Sequence, residues 1–128
     1  MAPRRIVFAP GTVIFAEGDV GTTAFVVEIG KVRIYKTRDG REIEIGEVGR
    51  SGIFGEMALI DDQPRMATAE AVTETTCVLI PKDRLAGQLD LAPKGVKVIV
   101  NALLGNIRAM GAELAEAALL LAQYDKKP

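Results

Sequence analysis

The chain has 128 residues, 48% of them hydrophobic, and a formal charge of −1 at neutral pH. That length suits one compact domain, and the balanced charge gives no global attraction to nucleic acid or to an anionic membrane. Histidine is absent and cysteine occurs once, which excludes Ser-His-Asp chemistry, an intrachain disulfide and the usual transition-metal clusters.

The amino-terminal segment carries two arginines, but Pro10 and Gly11 split its apolar run. It reads as two strands, residues 6–8 and 12–15, rather than as a secretory signal. AEGD at residues 16–19 is a turn. AFVVEI (24–29) and KVRIYKT (31–37) are strands separated by Gly30. The second alternates, with Val32 and Ile34 set against Arg33 and Lys36. Asp39-Gly40 marks a tight hairpin, and REIEIGEV (41–48) resumes the alternation on Ile43 and Ile45. Two more strands are expected at 67–72 and 76–80. The last holds Cys77 in an apolar run, the setting of a buried structural thiol. Strands this short, at this spacing, predict an antiparallel sandwich, jelly roll or β-roll.

Beyond Pro81 the period changes. Residues 82–91 suit a short helix with Pro81 near its start, and Pro93 opens a long one over residues 93–124. Along it Val96, Val100, Leu103, Ile107, Met110, Leu114, Ala117 and Leu121 follow spacings of four and three, a heptad seam. Gly105 and Gly111 interrupt the helix, each costing about 1 kcal/mol against alanine. Two roles stay open for the seam: covering the chain's own β domain, or pairing with a second copy. Leu104, Leu119 and Leu120 suit both. No unbroken apolar run reaches the roughly 18–20 residues that a bilayer crossing needs. The expectation is a soluble, cytoplasmic protein with no membrane span, and not an enzyme.

The stretch FGEMALIDDQPRMATA, residues 54–69, places Arg65 nine residues after Glu56. Gly55 permits close backbone approach, and a helical turn over residues 57–60 would aim free N–H groups at an anion. Arginine adds a planar charged fork for phosphate, while glutamate accepts hydrogen bonds from sugar hydroxyls. A nucleotide carries both groups. The residues alone leave a second reading open, a solvated turn in which Arg65 pairs with Asp61 or Asp62 for under ~1 kcal/mol.

This stretch closely resembles the phosphate-binding cassette of cyclic nucleotide-binding domains, the family of protein kinase A regulatory subunits, the catabolite activator protein and cyclic-nucleotide-gated channels. The segments IFAEGD and EIGKVRIYK agree, and the resemblance runs from about Ile6 to the early 120s. It implies a mainly β fold with α: an antiparallel β-roll (jelly-roll-like, a double-stranded β-helix) over residues 5–81, then a short helix and a long C-terminal helix. The whole chain, 1–128, would be one such domain. The resemblance further implies that Arg65 and the backbone N–H groups of Ala58 and Met66 hold the cyclic phosphate. Glu56 would accept from the ribose 2′-hydroxyl, with Gly55 beside it. Val32 and Ile45 are the candidates for lining the purine. Met66 stands where cyclic-GMP-selective members often have threonine or serine, which favours cyclic AMP over cyclic GMP as the ligand. Arg108 and Asn106 are the polar neighbours on the long helix that could reach the base. No metal or other cofactor is implied. The expected partners are the nucleotide, a second copy through the helical seam and an effector of unknown identity, with no direct DNA contact by this chain. The alternative is a ligand-independent interaction domain of the same fold, docking a partner through the apolar long helix.

Overall fold

The computed structural model describes residues 4–125. Eight strands form two four-stranded antiparallel sheets. One runs β1 (Arg5–Phe8), β8 (Thr75–Pro81), β3 (Thr23–Ile29), β6 (Ile53–Phe54). The other runs β2 (Val13–Phe15), β7 (Thr68–Ala71), β4 (Val32–Arg38), β5 (Arg41–Val48). A short helix, α1 (Met57–Asp61), lies between β6 and β7, and two helices follow β8: α2 (Lys82–Asp90) and α3 (Lys94–Asp125). This is the mainly β roll with a short and a long C-terminal helix.

Strand alternation builds the core. Phe25, Val27, Val32, Phe54, Ala69 and Cys77 are buried together, flanked by Phe8, Ile14, Phe15, Ile34, Val48 and Leu79. Burying a Phe or Val side chain of this kind contributes about 1.5–3 kcal/mol. Phe25 and Phe54 stack with centroids 5.1 Å apart, and Phe15 leans on both at 6.1 and 5.9 Å. The β4–β5 hairpin turns at Asp39 and Gly40, whose φ angles are 52° and 71°. Positive φ at both central residues gives the turn whose twist matches the paired strands.

Lys36 departs from the sequence reading, which set it on the polar face of β4. It shares the inward parity of Val32 and Ile34 and is only 5% exposed. A buried ammonium needs acceptors; Lys36 Nζ donates to the Met66 carbonyl and lies 3.8 Å from a Glu17 carboxylate oxygen.

α3 passes through Gly105 and Gly111 unbroken and packs against β4, β5 and α1. Leu104, Gly111 and Ala115 form its buried stripe. The heptad stripe faces away: Val96, Leu103, Ile107, Met110 and Leu114 are 45–64% exposed. Covering the chain's own domain therefore falls to Leu104 and its small neighbours. The segment Lys94–Ala122 is also long and apolar enough, by length and composition, to cross a membrane. Scattered charges such as Arg108 and Glu113 interrupt the segment, so that it contains no unbroken apolar run of that length.

Candidate functional site

β6 ends in Phe54, Gly55 turns the chain with φ 80°, and α1 begins at Met57. These three steps put Glu56, Met57 and Ala58 on the rim of a cleft of about 180 Å³. Ile34, Val48 and Ile53 supply its apolar wall, and Arg65, Met66 and Ala67 return beneath it from the loop before β7. Arg108 reaches it from α3.

Arg65 is 6% exposed. Its Nη1 donates to the Gly55 carbonyl at 2.6 Å and its Nη2 to the Thr23 carbonyl at 2.7 Å. Nε is buried with no hydrogen-bond partner among the described residues. Burial works to lower the Arg65 pKa, and the charges of Asp19 and Glu56 oppose it; a guanidinium stays protonated regardless. The site is thus a sheltered, permanent positive charge with donor capacity left over. Burial pushes the Glu56 carboxyl up, against a backbone hydrogen bond and the charge of Arg65. Ala58 lies in the first turn of α1, whose leading N–H groups have no intrahelical acceptor.

The alternative surface pairing of Arg65 is not made. Asp61 accepts from Arg108 at 2.6 Å and Asp62 from Lys82 at 2.6 Å. Among the other expected residues, Gly55, Glu56, Ala58, Arg65 and Met66 line one cleft. Ile45 is not a lining residue; its Cδ1 lies beneath α3, 3.9 Å from where a Gly111 Cβ would stand. Val32 lies in the closed core at 0% exposure, and Ile34, two residues on, takes the lining position. Arg108 lines the cleft, but its guanidinium is engaged by Asp61. Asn106 is exposed and is not a lining residue. Sequence reading missed Lys36, whose inward parity with Val32 and Ile34 was the available signal. It also missed Phe15 as the ring beneath Arg65.

A β-roll that gathers a buried arginine, a glutamate and a short helix on one cleft defines a binding module for a small anion that carries hydroxyls. Residues 5–90 match the cyclic nucleotide-binding domain family, and the chain belongs to that family. It is 31% identical over 110 residues to the CRP-like cAMP-activated global transcriptional regulator of Mycobacterium tuberculosis, covering 85% of this chain and 49% of that protein. It is 38% identical over 85 residues to the cyclic AMP receptor protein of Thermus thermophilus, covering 65% and 39%. The chain therefore spans about half or less of these relatives' length. Among solved structures, the cAMP-bound form of the EAL enzyme Bd1971 superposes with a TM-score of 0.82 at 32% identity, over 95% of this chain and 33% of that one. Its cGMP-bound form gives 0.81 at 35% identity, over 82% and 28%.

Proposed function

We propose that this chain is a cyclic-nucleotide sensor module, a single domain over 1–128 that takes cyclic AMP ahead of cyclic GMP and signals through α2 and α3. The observation that carries this reading is the buried Arg65, whose Nε has no partner among the described residues, on the same cleft as Glu56. Arg65 with the N–H groups of Ala58 and Met66 holds the cyclic phosphate. Glu56 accepts from the ribose 2′-hydroxyl, with Gly55 making room. The purine rests on Ile34 and Val48 of the apolar wall. Relatives described as cAMP-activated and a neighbour described as cAMP-bound support the choice of base. The exposed heptad stripe of α3 supports a homodimer.

Calorimetric titration with cyclic AMP, cyclic GMP and linear AMP tests this. Saturable binding of a cyclic form, lost in Arg65→Ala, is the expected result; no binding by protein freed of nucleotide overturns it. A second reading, a ligand-independent docking domain, is favoured by that same stripe, and partner capture unaffected by nucleotide would select it.

A further inference from the structure

Arg108 on α3 ties together elements 47 residues apart in sequence. Its Nε and Nη2 donate to the two carboxylate oxygens of Asp61 at 2.6 and 3.0 Å, and its Nη1 donates to the Pro64 carbonyl at 2.9 Å. The paired side chains are only 19% and 12% exposed. Asp61 is the last residue of α1, and Pro64 immediately precedes Arg65. One guanidinium therefore grips both the end of α1 and the turn that delivers Arg65, while itself lining the cleft. A bidentate pair fixes direction as well as distance. The comparable link from this turn to α2, Lys82 to Asp62, has side chains 44% and 72% exposed, where solvent and salt leave such a pair little strength.

We propose that Arg108 is a positioning residue: it holds α1 and the turn before Arg65 in a set relation to α3, so that filling the cleft and placing α3 become one event. The linkage to filling rests on the cyclic-nucleotide reading above; the positioning does not. An anion drawn to Arg65 shifts the segment that Arg108 grips, and the two-point contact passes the shift to α3. A ligand moves α3 only as far as its affinity differs between the two arrangements, and the grip supplies that difference.

The test compares the full chain with Arg108→Gln, Arg108→Lys and the control Lys82→Gln, by amide hydrogen exchange of α1 and α3 with and without cyclic AMP, alongside calorimetry. Without nucleotide, Arg108→Gln is expected to speed exchange in α1 about tenfold, a local opening, while Lys82→Gln leaves it unchanged. With cyclic AMP at a concentration that calorimetry shows to saturate each protein, the wild-type change in α3 exchange disappears in Arg108→Gln. Arg108→Lys, keeping charge without the fork, falls between. Unchanged α1 exchange together with an unchanged α3 response in Arg108→Gln overturns the proposal. If the wild type binds neither cyclic AMP nor cyclic GMP, the nucleotide reading falls, and the nucleotide-free α1 comparison alone decides the positioning role. Should Arg108→Gln not fold, Asp61→Asn removes the same pair from its other side, with the same expected and overturning results.

Discussion

The guanidinium of Arg65 lies over the ring of Phe15, 4.1 Å from its centroid. Phe15 in turn packs on Phe25 and Phe54, so the charge of the cleft rests directly on the aromatic core.

That contact changes what removing the arginine should do. A charge merely facing a cleft would leave the core untouched. Arg65 also satisfies the carbonyls of Gly55 and Thr23, bonds worth about 1.5–3 kcal/mol each when the donor is charged. Arg65→Ala is expected to abolish nucleotide binding and also to lower stability by about 3 kcal/mol or more. Chemical denaturation beside calorimetry measures both. Unchanged affinity in a folded variant would remove Arg65 from the site.

Two glycines make the seat. A Cβ on Gly21 would stand 2.6 Å from Arg65 Cζ, and one on Gly55 would stand 2.7 Å from Nη1 and 3.1 Å from Phe15 Cε2. The Gly55 φ of 80° adds backbone strain to any side chain there. Gly21→Ala and Gly55→Ala are each expected to weaken cyclic-nucleotide binding about tenfold or more, by displacing the guanidinium about an ångström. Wild-type affinity in Gly21→Ala would show that the guanidinium has room to move.

Glu56 links the site to pH. Burial raises its carboxyl above the ordinary value of 4.5, so the folded state holds this proton more tightly than the unfolded chain does. The stability this gives is fully present below 4.5 and is lost as pH rises through the higher folded value. Affinity runs the other way, because the carboxylate is the stronger acceptor for a ribose hydroxyl. Titrations from about pH 4 to pH 7 should show cyclic AMP binding strengthen with pH in the wild type and stay flat in Glu56→Gln. Identical profiles would take Glu56 out of the binding reaction.

Leu103 and Leu104 are neighbours in sequence with opposite surroundings, 56% and 7% exposed. Leu103→Glu should leave the fold intact and halve the mass seen by light scattering. Leu104→Ala should instead cost about 2–4 kcal/mol of stability without changing the mass of the folded protein. An unaltered mass for Leu103→Glu would refute pairing through the seam.

Local rules account for what could be read from the sequence alone. The strands follow an alternation of two, the β4–β5 hairpin follows from Asp39-Gly40, and the change of period after Pro81 marks the helices. The cassette is legible because residues 54–69 resemble that of cyclic nucleotide-binding domains; the spacing of Gly55, Glu56 and Arg65 alone leaves a solvated turn equally open. What periodicity leaves undetermined is which long-range partner each side chain meets. Lys36 looks like a surface charge until β4 carries it beneath α3, where its ammonium donates a hydrogen bond to the Met66 carbonyl. Asp61 could pair with Arg65 or with Arg108, and only the packing of α3 across α1 decides for Arg108. Likewise the apolar residues of α3 form two stripes, and the small residues Gly111 and Ala115 mark the one that meets the roll: a Cβ at Gly111 would stand 2.6 Å from Met66 Cε. The chain's own turns and periods determine the elements; the contacts that give the cleft its charge, its floor and its link to α3 arise only when sheets and helices pack.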